Sequence, residues 1–252
     1  MGTDGTLRLT LRRQALRQDA GGHNVWETSL TEKTLPASQI ALLLCDVWDR
    51  HWSRGATERV DVLVPRMAQV VQAARDRGVQ ILHAPSDTMD FYAGTPARQR
   101  MLDLPPVDPP PPLEHPDPPL PIDTSDGGSD TGEKPWHKAW RRQHPGIGID
   151  QAQDGISDKG KEVYSLLHHR GIRTLLLMGV HTNMCVLGRS FAIKQMVRWG
   201  IDTILIRDLT DTMYNPALSP YVSHDEGTRL VVEFIEKFWC PTILSEDLIQ
   251  KS

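Results

Sequence analysis

Cys185 stands in the segment Gly179-Val180-His181-Thr182-Asn183-Met184-Cys185-Val186, where an apolar run gives way to a stretch with helical spacing. A cysteine in the first turn of such a helix has free backbone N–H groups around it and the positive end of the helix dipole beneath it, and both favour the thiolate. The same amides would hold an oxyanion if the sulfur attacked a carbonyl. The competing reading is a small buried hydrophobe, the commonest fate of a free cysteine. Two further places carry chemistry-bearing groups at the end of an apolar run: Asp46, directly after Ile40–Cys45, and the loop His83–Asp87. Three cysteines (Cys45, Cys185, Cys240) are too few for a disulfide scaffold, which leaves room for one reactive thiol.

The elements that must position these groups follow from apolar patterning. Ile40-Ala-Leu-Leu-Leu-Cys45 is apolar on both faces and reads as a buried parallel strand. Residues 57–77 have helical spacing through Val60, Leu63, Val64, Met67, Val70, Val71 and Ala74, with Gly78 where a C-cap belongs. Residues 79–84 give the next strand. A helix over 159–170, a strand over 174–178, a helix over 184–199 and a strand over 202–207 follow. A helix over 222–238 and a short strand near 242–244 complete the series. Strand–helix repetition of this kind predicts an α/β fold, a doubly wound, mainly parallel sheet with helices on both faces. Ligands of such sheets bind beyond the carboxyl ends of the strands, where Asp46, His83–Asp87 and Gly179–Cys185 all fall.

Residues 1–39 are polar with scattered apolar positions and read as an N-terminal arm over the edge of the domain; 40–252 read as a single domain. Residues 93–150 hold most of the prolines and an acidic, glycine-rich stretch from Asp123 to Asp130, and read as a long irregular insertion. Trp136, Trp140, Arg141, Arg142 and His144 suggest that it folds back onto the domain. The 252 residues, 39% hydrophobic and 24% charged, describe an ordinary globular chain with a sizeable core. A net charge of −4 and the lack of a long basic run argue against nucleic acid as a partner. No apolar stretch reaches the roughly 18 residues that cross a bilayer. The N-terminus has no apolar h-region, so the chain as given reads as cytoplasmic, with an export signal removed ahead of residue 1 as the open alternative.

The segment GVHTNMCVLGRSFAIKQMVRWG resembles the nucleophile motif of the isochorismatase-like cysteine hydrolases, a strand followed by G-V-x-T-x-x-C-V and a helix ending at glycine. ALLLCDVWDRHW is similar to their first strand with its catalytic Asp, and IRDLTDTMYNP to the strand and acidic loop that follow. The resemblance covers about 40–92 and 155–245. It implies a Rossmann-like three-layer fold, a homo-oligomer (dimer or tetramer), a small-molecule substrate and no cofactor. It further implies Cys185 as nucleophile, Asp46 as general base and acid, and a cis peptide between Val180 and His181 that aims the His181 N–H, with that of Cys185, at the substrate oxygen. The implied activity is hydrolysis of a C–N bond in a small amide, ureide or imide through a thioester. Vinyl-ether cleavage, the other activity of that family, does without the cysteine, and a non-enzymatic binding protein is the remaining alternative.

The family's third residue is a lysine, which sliding the pattern back from Arg170-Gly171 would put near Ala152; Ile149-Asp-Gln-Ala-Gln-Asp154 contains none. Lys138 is favoured as its replacement for its Trp-rich neighbourhood, ahead of Lys134, Lys159 and Lys161. Arg141, Arg142 and His181 are further options, and an ordinary surface lysine is as good a reading of Lys138. No metal is expected: Met89 stands where a nicotinamidase-type ligand histidine would be wanted, and Asp49-x-His51 supplies only two donors. Candidate substrate-binding residues are Trp48, Asp87, Tyr92, Thr182, Asn183 and Tyr214. His224 stands either near the site or merely at a helix start.

Overall fold

The computed structural model describes residues 5–134 and 137–249; Trp136 lies outside them. In chain order the strands are β1 (Thr6–Gln18), β2 (Asn24–Pro36), β3 (Ile40–Cys45), β4 (Gln80–Ala84), β5 (Gly155–Ile156), β6 (Thr174–Val180), β7 (Asp202–Asp211) and β8 (Thr242–Ile243). The helices are α1 (Arg54–Asp76), α2 (Pro96–Leu102), α3 (Gly160–His169), α4 (Cys185–Gly188), α5 (Ile193–Arg198), α6 (His224–Phe238) and α7 (Glu246–Ile249). The strands form one sheet in the order β2-β1-β8-β7-β6-β3-β4-β5. From β8 to β5 every pairing is parallel. The fold is α/β and doubly wound.

Both faces of the parallel strands are covered, which is why their sequences are apolar without alternation. Ala41, Leu43 and Cys45 of β3, with Leu175, Leu177 and Leu205, pack against α3 and α6 through Val163, Leu166, Val231 and Ile235. The intervening Ile40, Leu42 and Leu44, with Leu176, Met178, Ile204 and Ile206, pack against α1 through Val60, Val64, Met67 and Val71. The Ser53 hydroxyl caps α1 by accepting from the Ala56 N–H.

Two features depart from the sequence reading, the N-terminal arm and the helix after β6, while the stretch between α2 and β5 is irregular and folds back as its composition suggested. The N-terminal arm is a β-hairpin: thirteen residues of β1 pair antiparallel with thirteen of β2 across a turn in which Gly22 has φ 82°. It joins the sheet through one antiparallel pair, Arg12 with Thr242. The helix expected over 184–199 is broken into α4 and α5 by Arg189–Ala192. Between α2 and β5 the described residues form no strand or helix, and part of this stretch lies back on the loop after β3. There Asp49 N–H donates to Arg142 O at 3.0 Å, His144 N–H donates to Val47 O at 2.8 Å, and Trp140 stacks on Trp48 at 4.0 Å.

The chain moves outward from β3 to β4 and β5 on one side, and from β6 to β7 and β8 on the other. The switch point of the sheet therefore lies between the carboxyl ends of β3 and β6, where a doubly wound sheet opens a crevice.

Candidate active site

Asp46 follows β3 and Cys185 opens α4 after β6, so the two stand on either side of the switch point. Asp46 is fully buried and has φ 50°. Its Oδ1 accepts the Ser86 N–H at 2.7 Å and its Oδ2 accepts Arg189 Nε at 2.9 Å. The Cys185 thiol lies near enough to the same carboxylate that each shifts the titration of the other. Gly179 allows β6 to come this close: a Cβ there would stand 2.0 Å from the Cys45 carbonyl oxygen, and its φ is 126°. The Val180–His181 peptide is cis. The turn of α4 is closed by Arg189 N–H donating to Cys185 O at 3.0 Å.

Burial pushes the Cys185 thiol well above its ordinary value, and the adjacent Asp46 charge adds to this; Arg189 and the His181 N–H, which faces the sulfur, pull it back. The sequence argument pointed to a stabilised thiolate, and the geometry reverses it. One turn of helix supplies little dipole, while desolvation next to a carboxylate dominates. Burial likewise raises Asp46, opposed first by Arg189. The site therefore holds a thiol whose ionisation burial disfavours, beside a carboxylate bound by a guanidinium. His181 and His51 are held neutral by burial, with pKa values pushed down to about 3 and about 4. A cavity of about 10 Å³ between Asp46, Trp48, His51, Val180 and His181 has room for one water molecule.

No protein-family model matches the sequence, and no curated protein does. Solved structures do match. A cysteine hydrolase from Pseudomonas syringae pv. phaseolicola 1448A superposes with a TM-score of 0.53 at 17% identity, over 85% of this chain and 92% of that one. An isochorismatase from Pseudomonas putida KT2440 superposes with a TM-score of 0.52 at 13% identity, over 84% of this chain and 91% of that one. The fold is that of the isochorismatase-like cysteine hydrolases. The likeness is one of architecture, and the chemistry has to be argued from the residues.

In this isochorismatase-like fold the cation beside the carboxylate is Arg189, which the sequence reading missed. Lys138 instead donates to the backbone carbonyl of Asp87. Lys159 pairs with Asp158 and Lys161 with Asp108. The Arg142 guanidinium lies over the Phe91 ring, and the backbone amides of Arg141 and Arg142 donate to Asp49. Near Ala152, where the resemblance would have placed a lysine, the buried side chain is Asp154, bound by Arg75 at 2.7 Å and His83 at 2.9 Å. The missed signal was spacing: Arg189 is four residues after Cys185, so a helical turn puts both on one face.

Most of the candidate substrate-binding residues are committed to holding the fold. Tyr214 is fully buried, with its hydroxyl donating to Leu218 O. Asn183 makes a reciprocal pair with the Met213 backbone, at 2.9 and 3.0 Å. The Thr182 and Thr210 hydroxyls meet at 2.7 Å. The Tyr92 hydroxyl accepts the Gln143 N–H, and Trp48 Nε1 donates to Ser86 O. These side chains fix the loops around the crevice and have little capacity left for a ligand. Asp87 differs: its exposed carboxylate stands 3.5 Å from the outer nitrogen of Arg189. The Asp49 and His51 pair is occupied by loop hydrogen bonds, and among the described residues no group of three or more His, Cys, Asp or Glu side chains is placed to hold a metal ion. His224 opens α6 and pairs with Asp211 at 2.9 Å, a carboxylate shared with Arg59.

Proposed function

We propose that the chain is a cysteine hydrolase that opens a C–N bond of a small amide, ureide or imide. The observation that carries this reading is the meeting of the Cys185 thiol with the Asp46 carboxylate while Arg189 holds that carboxylate from the other side. As the sulfur attacks the carbonyl carbon, its proton passes to Asp46. The oxyanion forms next to the His181 and Cys185 backbone amides. Collapse of the tetrahedral adduct breaks the C–N bond, and Asp46 returns its proton to the leaving nitrogen, leaving a thioester on Cys185. Asp46 then takes a proton from a water that attacks the thioester, and Cys185 departs as a thiol when the acid is released. A neutral resting thiol suits this order of events, because the general base acts during attack rather than before it. Arg189 steadies the negative charge that moves between sulfur and carboxylate, a role for which a lysine is not required.

Described helices include none long and apolar enough to cross a membrane, and a small molecule entering the crevice is the substrate class this reading needs. Ammonia or amine release across a panel of small amides, ureides and imides tests it, with Cys185→Ala as the control. Release abolished by that substitution, with a thioester adduct on Cys185 seen by intact mass at low pH, supports the proposal. No release from any of the panel, with Cys185 alkylating no faster than Cys45 and Cys240, overturns it in favour of a binding protein.

A further inference from the structure

β2 is the outermost strand of the sheet, and no strand among the described residues pairs with its outer edge. All of its residues from Asn24 to Glu32 are exposed. Four large apolar side chains of the hairpin, Leu16, Val25, Trp26 and Leu30, are between 40% and 66% exposed, and Leu30 the most. A thirteen-residue edge with unpaired N–H and C=O groups is a template for another strand unless something blocks it. β2 has no bulge, and its one proline is its last residue, Pro36.

We propose that this edge is the interface with a second copy of the chain, paired antiparallel, β2 to β2, about a two-fold axis at Leu30. Three features select a second copy in this register. Leu30 is the midpoint of Asn24–Pro36, so the axis that gives complete overlap passes through it. In that register residues whose numbers sum to 60 stand opposite each other. Leu30 then meets its own mate, Val25 meets Leu35, Thr28 meets Glu32, and Glu27 meets Lys33 twice over. A two-fold axis normal to the sheet allows slips only in steps that keep a residue opposite itself. The nearest slips put Lys33 opposite Val25 or Ser29 and Glu32 opposite Trp26 or Leu30, losing both ion pairs. Finally, Glu27 has no partner among the described residues of its own chain, and Lys33, which is bound to Asp202 of its own chain at 2.5 Å, would have to share or exchange that partner to meet it. The edge is thus self-complementary in length, in apolar contact and in charge.

Sedimentation velocity from about 1 to 100 µM tests the interface. The unmodified chain is expected to sediment as a dimer. Glu27→Lys turns two attractive cross-strand pairs into two repulsive ones and is expected to weaken the dimer by about tenfold or more, with circular dichroism unchanged. Leu30→Cys places the two sulfurs across the axis, so mild oxidation is expected to give a covalent dimer on non-reducing gels, while Glu27→Cys is expected not to. A monomer at every concentration overturns the proposal. So does a dimer that ignores Glu27→Lys and fails to cross-link through Leu30→Cys, because that dimer uses another surface. If Glu27→Lys does not fold, the cross-linking pair decides alone.

Discussion

Replacing Arg189 by Gln removes the positive charge 2.9 Å from Asp46 Oδ2 and keeps the side chain close to its original size. A unit charge about 4 Å away in an effective dielectric of about 20 is felt at about 4 kcal/mol. The Arg189 side chain is 33% exposed, so water screens part of that. About 1–2 kcal/mol at the sulfur is the reasonable remainder. Arg189 lowers the Cys185 pKa, so its loss raises it, by roughly one unit at about 1.4 kcal/mol per unit. The expected result is an approximately tenfold slower alkylation of Cys185 by iodoacetamide at any pH below the thiol pKa, with the rate–pH profile displaced upward. Arg189→Lys keeps the charge and is expected to recover most of the rate. Intact-mass kinetics between pH 6 and 9 measure all three proteins. Superimposable profiles for the parent chain and Arg189→Gln would refute the electrostatic reasoning, since a cation that leaves the sulfur unmoved cannot be part of its activation.

Asp46→Asn separates reactivity from turnover. Asp46 raises the Cys185 pKa, so alkylation is expected to quicken while hydrolysis falls below detection, and the melting temperature is expected to hold or rise because a charge that burial disfavours has gone. Asp154→Asn strips the carboxylate from buried His83 and from Arg75 and is expected to cost about 2–4 kcal/mol by thermal melting. Those partners hold the Asp154 pKa below its ordinary value, so the advantage of the parent chain over this variant is complete above about pH 4 and fades as the pH falls through the folded pKa. Gly179→Ala drives a Cβ into the Cys45 carbonyl at a φ that side chains avoid; loss of soluble folded protein, seen as a collapsed melting transition, is the expected outcome.

The parallel strands were legible because each is apolar on both faces and bounded by polar turns, and the topology rule then placed Asp46 and Cys185 together. β2 was not legible: from Asn24 to Glu32 it buries nothing, so its sequence carries no alternation between core and solvent, and only the period-two run Leu7, Leu9, Leu11 in β1 hinted at a strand. The break after Gly188 was hidden because apolar spacing continues through Phe191 and Ile193 into α5. Lys138 misled for a physical reason. Its aromatic neighbourhood does pack, Trp140 on Trp48, but packing of a neighbour says nothing about where a four-carbon stem puts its ammonium. Thr182, Asn183 and Tyr214 are polar groups beside a crevice that spend their hydrogen bonds on backbone and neighbouring loops, a distinction that composition and position do not encode.

With the guanidinium carried one turn downstream of the sulfur, the relative placement of those two groups is set by a few backbone torsions and hardly depends on how distant parts of the molecule dock. The outer strand β5 and the long proline-rich stretch before it are thereby released from supplying charge to the crevice. On the proposed reading, changes in that region are expected to act on the loops it braces around the crevice and not by removing the charge beside the sulfur.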